Sequence, residues 1–197
     1  MAAPKFTADG ILDAAAEEVA SSGPAVRVAD IARRLSAPNG SIYYRFSSRD
    51  EILVALWLRS IRRFHQAYLA AGEMDEAHEA LLSMAERVVT FSRDNPREAT
   101  AMTLFRQPRL VDNSPEKYRE EVRHINDQIN ARLAELAARR YAPASATSRH
   151  QFLVRTAAID IPYGLVRRHM WHAQPPDLPQ VAVASAHATL ALGDQVY

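Results

Sequence analysis

Cysteine is absent from this chain of 197 residues, and glycine occurs only six times. Without cysteine, the chain has no disulfide framework and no thiolate metal site. No apolar run reaches the roughly 18 residues that a membrane-spanning helix needs. The first residues, Met1 to Phe6, lack the apolar core of a signal peptide. These absences favour a cytoplasmic protein that has no membrane span.

Catalytic signatures are also missing from the sequence. It contains no G-x-S-x-G, H-E-x-x-H, P-loop or dinucleotide-binding pattern. Of the seven histidines, only His169 and His172 lie three positions apart, and no carboxylate pattern accompanies them. We therefore expect no enzyme, no metal site and no cofactor.

Helix-forming residues dominate what is present. Alanine, leucine, glutamate and arginine are frequent, and segments that alternate apolar and polar residues are essentially absent. The periodic segments and the prolines between them predict an all-α fold of about nine helices.

The most informative segment extends from Val28 to Phe46. An apolar stripe marks its first helix, Ser36-Ala37-Pro38 interrupts the pattern, and a second short helix follows from about Pro38 to Phe46. Ile42 and Phe46 are expected to face inward. The outward residues include no acid, and they suit base edges and phosphates: Asn39, Gly40, Ser41, Tyr43, Tyr44 and Arg45. This pattern is typical of a DNA-binding helix-turn-helix, and an ordinary helical hairpin is the alternative.

Positive charge is concentrated around this segment. Residues 27–63 contain eight arginines and three acidic residues, although the whole chain has a net charge of only +1. A local basic region is the electrostatic signature of nucleic-acid binding. Arg27 and Arg49 flank the hairpin and are the expected phosphate contacts. Pro38, with which the second helix is expected to begin, is a further candidate DNA contact. A solvated helix face is the alternative for Arg59, Arg62 and Arg63.

The first 70 or so residues resemble the N-terminal domain of the TetR family of transcriptional regulators. The resemblance lies in the helix from Thr7, in Asp30-Ile31-Ala32, in Gly40 to Phe46 and in Ser48 to Leu53. Two positions depart from the family pattern: Ser36-Ala37-Pro38 stands where Gly-Val-Ser is common, and Arg27 replaces a frequent threonine. The resemblance implies a helix-turn-helix domain over residues 1–47 and a ligand-binding and dimerisation domain over residues 48–197.

The remaining helices are bounded by capping residues, glycines and prolines. Ser48-Arg49-Asp50-Glu51 is a capping box that opens a helix to about Ala71, and further helices are expected over 75–94, 96–105, 114–141 and 149–172. Ser114 is expected to cap the third of these, with Pro115 as its first residue. Residues 107–113 and 142–148 read as loops. Pro162 should kink its helix near Ala158, where Asp160 is expected to pair with an arginine or cap freed amides.

The final helix, after Pro175-Pro176-Asp177, contains small apolar residues on every side and no charge from Val181 to Leu192. Such a helix needs to be covered on most of its surface. Burial within one monomer is one solution. In TetR-like proteins the last two helices of each subunit pair into a four-helix bundle, which implies a homodimer that reads a palindromic DNA operator at about 34–36 Å spacing.

The resemblance further implies a repressor that a small-molecule effector releases by moving the connecting helix. Ten residues are candidates for its ligand cavity, each of which also suits an ordinary core: Trp57, Phe64, Phe91, Met102, Phe105, Tyr118, Ile125, Ile129, Asp160 and Tyr163. The alternative function is a TetR-like interaction module that binds DNA weakly or without specificity.

Overall fold

The computed structural model describes residues 6–143 and 145–195. This part of the chain is helical, without a β-strand, which confirms the all-α prediction. The helices are α1 (Ala8–Ser22), α2 (Val28–Arg34), α3 (Asn39–Tyr43), α4 (Arg49–Ala71), α5 (Ala77–Asp94), α6 (Pro96–Met102), α7 (Gln107–Leu110), α8 (Glu116–His124), α9 (Asp127–Arg140), α10 (Ser148–Arg155), α11 (Ile161–His169) and α12 (Leu178–Ala191). The signal-peptide prediction concerns residues that lie almost entirely outside the described ranges.

The chain forms two compact units. The first contains the residues up to Arg62 together with Pro96–Ile125, and the second contains Arg63–Asn95 together with the residues from Asn126 onward. The boundary between them falls inside α4. The expected boundary between residues 47 and 48 divides a DNA-binding domain from a ligand-binding and dimerisation domain. It differs from the boundary between the compact units and stays a prediction.

In the first unit, α1, α2, α3 and the start of α4 share one apolar core. Thr7 caps α1, since its hydroxyl accepts a hydrogen bond from the Gly10 amide at 3.1 Å. Ile11, Ile31 and Ile42, one from each of the first three helices, are fully buried. The core therefore fixes how the hairpin of α2 and α3 lies on α1.

In the second unit, α5 packs against α9, α11 and α12 around a second core. The helix predicted over 149–172 is interrupted by a π-helical turn over Thr156–Asp160, just before Pro162. In a regular α-helix the Ala158 carbonyl would accept from the N–H of residue 162, which proline lacks. The buried Tyr68 hydroxyl of α4 donates to this carbonyl instead, at 3.0 Å. The Asp160 carboxylate lies 4.0 Å from Nε of Arg155, which agrees with the expected arginine partner.

Two predictions between residues 107 and 141 were wrong. The expected loop contains the short helix α7, with Pro108 in its first turn, and the expected helix over 114–141 is divided into α8 and α9. Gln107 explains the division, because its side-chain amide donates to the carbonyls of Val122 and Arg123, both at 2.9 Å. A continuous helix would use those carbonyls for the amides of residues 126 and 127.

The predicted ends of several helices also differ from the structure. Pro115 is the N-cap of α8, and the Ser114 hydroxyl instead donates to the Val111 carbonyl. Helix α6 ends at Met102, before the expected Phe105. Helix α3 is five residues long, and Pro38 is its N-cap in extended conformation rather than its first helical residue.

Candidate nucleic-acid interface

A tight turn connects α2 to α3. Ser36 adopts a left-handed conformation with φ of 50°, and the Ala37 amide donates to the Ala32 carbonyl at 2.9 Å. Left-handed backbone is unfavourable for a residue with a Cβ atom. The turn thus places serine in a conformation that glycine adopts more easily.

The segment from Pro38 to Phe46, which contains α3, buries two residues and leaves the others exposed or partly exposed. Ile42 and Phe46 lie in the core of the first unit, as predicted. Tyr44 is 85% exposed and Tyr43 is 52% exposed, while Ser41 is partly exposed. The remaining predicted DNA contacts on this segment are exposed, namely Pro38, Asn39, Gly40 and Arg45.

The exposed face of residues 39–45 contains no acidic residue. A Cβ atom built on Gly40 would meet no atom within 4 Å. The Arg45 guanidinium lies 5.7 Å from the centroid of the Tyr44 ring, a cation–π arrangement at the surface. This face offers amide, hydroxyl and guanidinium donors to an anionic partner.

Arg27 stands at the start of α2 beside Asp30. Its guanidinium donates to both Asp30 oxygens, at 2.9 and 3.1 Å, and the Arg27 amide donates to the same carboxylate. The hydrogen bond from Arg27 is the main reason that the pKa of Asp30 falls to about 2. The Arg27 side chain remains 77% exposed. Arg27 is thus the N-cap residue of α2, its amide bonded to Asp30, and its side chain stays accessible.

The guanidinium of Arg49, the other predicted phosphate contact, is already bonded to other residues of the chain. Its Nε donates to the Val26 carbonyl at 2.6 Å, and its Nη2 donates to the Pro24 carbonyl. Its Nη1 pairs with Asp50 at 2.9 Å. Arg49 thus joins the first turn of α4 to the segment between α1 and α2.

Carboxylates of α1 neutralise part of the basic region. Arg34 pairs with Glu17 and Glu18 at 2.9 and 2.8 Å, and Arg59 pairs with Asp13 at 2.9 Å. Sequence counting over residues 27–63 missed these pairs because their acids precede the counted window. The unpaired positive charge of the hairpin is consequently smaller than the local count indicates.

An ion pair with a buried carboxylate lies a few residues after Phe46, and sequence reasoning missed it. The Glu51 carboxylate, in a residue only 4% exposed, pairs with Lys117 of α8. It also accepts from the Ser47 amide at 2.6 Å and from the Ser47 hydroxyl. Burial by itself would raise the pKa of Glu51, but the bonds from Lys117 and Ser47 lower it. The capping box drew attention to Glu51, but nothing in the sequence indicated its distant partner.

The ten residues predicted for a ligand cavity fall in both compact units. Five belong to the first unit, where the Trp57 indole donates to the Met102 carbonyl at 3.2 Å, and where Phe105, Tyr118 and Ile125 pack in the cluster around Trp57. Five belong to the second: Phe64, Phe91, Ile129, Asp160 and Tyr163. The rings of Phe64 and Phe91 are 5.3 Å apart, Ile129 is buried in the core, and Tyr163 is 38% exposed beside Arg167. Their role in ligand binding stays a prediction.

Other kinds of site find no support in the described residues. No three histidine, aspartate or glutamate side chains within them come together as a metal site. None of the described helices combines the length and the apolar character needed to cross a membrane.

Residues 11–56 match the family model described as bacterial regulatory proteins, tetR family. These residues cover α1, the hairpin of α2 and α3, and the start of α4. Over these residues, the chain is similar to the N-terminal domain of TetR-family regulators.

Solved TetR-family structures share the fold over nearly the whole chain. The regulator PfmR from Thermus thermophilus is 20% identical, with a TM-score of 0.70 over 92% of this chain and 97% of its own. A tetR-family regulatory protein from Rhodococcus is 18% identical, with a TM-score of 0.73 over 94% and 95%. FadR from Bacillus subtilis, solved in complex with stearoyl-CoA, is 16% identical, with a TM-score of 0.67 over 94% and 98%. No curated protein sequence matches the chain.

Proposed function

We propose that this TetR-family protein is a repressor that binds a palindromic operator as a homodimer and is released by a small-molecule effector. The exposed, acid-free face of α3 carries the proposal. Tyr44, the C-cap residue of this helix, is 85% exposed, and the Arg45 guanidinium lies 5.7 Å from the centroid of its ring. Such a face suits the major groove, where amides, hydroxyls and guanidinium groups read base edges and phosphates.

The surface of α12 supports dimerisation. One side of this helix lies in the core of the second unit, through Leu178, Ala182, Ala186 and Leu190. The other side leaves apolar residues in solvent: Val181, Ala184, Ala188 and Leu192. A second copy of the helix would cover these residues, whereas one chain leaves them exposed.

The effector part of the proposal rests on the family fold and on the apolar side chains around α4. The neighbour FadR binds stearoyl-CoA in its crystal structure. Long-chain acyl-CoA is therefore one ligand class to include when effectors of this protein are screened. A ligand needs to bind the DNA-incompetent state better by only a few kcal/mol to release the operator.

The deciding experiment is binding of the full chain to DNA from upstream of its own gene, measured by fluorescence anisotropy at several salt concentrations. We expect tight binding to one palindrome and affinity that falls steeply with salt. Tyr44→Ala and Arg45→Ala should each weaken specific binding by about 5- to 150-fold, corresponding to about 1–3 kcal/mol per lost contact. The matched control is Tyr163→Ala, which removes a tyrosine from the second unit. Uniformly weak binding to all sequences would favour an interaction module.

A further inference from the structure

A groove in the first unit lies beside the first turns of α4, and no residue of α3 lines it. It has a volume of about 470 Å³, within the range of small-molecule sites. Its walls come from α4 and from the segment between α6 and α8. The residues that line it are Asp50, Val54, Thr103, Leu104, Phe105, Arg106, Arg109, Leu110 and Asn113. We call it the arginine groove.

Two cations in this groove have no partner among the residues that the structure describes. Arg106 and Arg109 are exposed, and neither side chain takes part in an ion pair, a hydrogen bond or a ring contact there. Arg106 is the N-cap residue of α7, and Arg109 lies three positions later in this short helix. By contrast, Arg34, Arg59 and Arg62 of the same unit are all paired with carboxylates.

The floor of the groove is apolar. Val54 and Leu110 are buried, and Leu104 and Phe105 are partly exposed. The one acidic residue in the lining, Asp50, is already paired with Arg49 at 2.9 Å. The groove thus combines two free guanidinium groups with an apolar surface that is only partly covered by the chain.

We propose that the arginine groove binds an anionic amphiphile, a small molecule with a carboxylate or phosphate head and an apolar tail. Guanidinium groups bind such heads through paired, charge-assisted hydrogen bonds. The tail covers Leu104 and Phe105. The anionic head and the apolar tail are both required, since either alone leaves one half of the groove unmatched.

Occupancy of the groove would affect DNA binding, a consequence that rests on the proposed function. Asp50 and Val54 belong to the first two turns of α4, and Arg49 stands next to Asp50. Arg49 holds the carbonyls of Pro24 and Val26, immediately before α2. A head group bound by Arg106 and Arg109 would share the groove with the Asp50 carboxylate, and repulsion between the two anions would weaken the pair of Asp50 with Arg49.

The test is calorimetric titration of the full chain, without DNA, with three probes: n-octyl phosphate, 1-octanol and inorganic phosphate. We expect octyl phosphate to bind at least tenfold more tightly than either of the others. Equal affinity for octanol would overturn the role of the arginines, and equal affinity for inorganic phosphate would overturn the role of the apolar floor.

Variants assign the binding to this groove. Arg106→Gln/Arg109→Gln should weaken octyl phosphate binding at least tenfold, and Arg106→Lys/Arg109→Lys should retain part of it. Arg87→Gln is the matched control, because this arginine of α5 lies outside the groove and should bind like wild type. Unchanged affinity in the double glutamine variant would refute the site.

A DNA titration of the same variants separates this proposal from the proposed function. If the double glutamine variant loses operator affinity and its salt dependence becomes shallower, while octyl phosphate fails to bind wild type, the arginines contact DNA phosphates and the groove proposal is wrong. If octyl phosphate binds as expected but no operator is found, the groove stands and the repressor proposal fails.

Discussion

At the scale of single residues, the buried carboxylate of Glu51 is expected to contribute to the stability of the first unit. Its buried carboxylate holds Ser47 and Lys117. Glu51→Gln should lower the free energy of unfolding by about 1–3 kcal/mol, because the charge-assisted hydrogen bonds from Ser47 to a buried carboxylate are weakened and the pair with Lys117 is lost. Urea unfolding followed by circular dichroism measures the loss. Glu116→Gln, which removes an exposed carboxylate of α8, should change stability little.

The Glu51 effect should depend on pH. Because the pKa of Glu51 is lowered in the folded protein from an ordinary value of 4.5, its stabilisation is present above that value. The stabilisation is lost as the pH falls through the lower, folded pKa. The stability difference between wild type and Glu51→Gln should therefore shrink in acid. A difference that stayed constant down to pH 3 would contradict this assignment.

His65 on α4 is expected to make the second unit sensitive to acid. Burial lowers the pKa of His65 to about 4 from 6.5, against a hydrogen bond with Asn126 that acts in the opposite direction. Between those pH values the unfolded chain binds a proton that the folded protein does not, so stability falls as the pH is lowered.

Replacing His65 by glutamine should remove this dependence. Between pH 7 and pH 4, wild type should lose about 2–3 kcal/mol more stability than His65→Gln does. Urea unfolding at several pH values gives the comparison. His172→Gln, which removes an exposed histidine, serves as the control. Parallel curves for wild type and His65→Gln would show that His65 is not the group responsible.

At the scale of elements, the turn between α2 and α3 stores strain at Ser36. Ser36→Gly should stabilise the protein by about 0.5–1 kcal/mol, since relief of the left-handed strain exceeds the entropic cost of glycine in the unfolded chain. Ala37→Gly, one position later, should destabilise it. Thermal unfolding of the two variants provides the measurement, and destabilisation by both would refute the strain argument.

The π-helical turn before Pro162 gives a second prediction at this scale. Tyr68→Phe should cost about 1–3 kcal/mol, because the Ala158 carbonyl would lose its donor in a buried site. In a Pro162→Ala background the cost should be smaller, since residue 162 then has an N–H of its own. A double-mutant cycle measured by urea unfolding tests the coupling, and additive losses would contradict it.

The elements that the sequence predicted well are those with local signals. Thr7 caps α1, Gly23 and Pro24 follow its end, and Ser48 precedes α4 at the expected place. The failures have distant causes. Gln107 takes two carbonyls of α8 and so ends a helix that its own sequence would continue. Pairs such as Glu51 with Lys117 depend on the fold, so spacing along the chain does not indicate them.

At the scale of the whole molecule, the apolar side of α12 should control assembly. Val181→Glu places a charge on a residue that is 42% exposed in the single chain. We expect this variant to be monomeric while it remains folded, because burial of an unpaired carboxylate opposes dimerisation. Sedimentation velocity measures the mass, and Ala138→Glu on the exposed side of α9 is the matched control.

The same variant should also lose operator affinity, since one recognition helix reads only half of a palindrome. A Val181→Glu protein that stayed dimeric would place the interface elsewhere. One that became monomeric but kept full affinity would show that the two half-sites are not read together.

The ion pair of Glu51 and Lys117 predicts how these two positions vary among homologous sequences. A mutation at either position alone leaves a buried carboxylate or a lysine without its partner, so a single change is selected against. Homologous chains are therefore expected to change the two positions together, with a basic residue at the equivalent of 117 wherever 51 is acidic. An alignment in which the two positions vary independently would show that evolution has not depended on this pair.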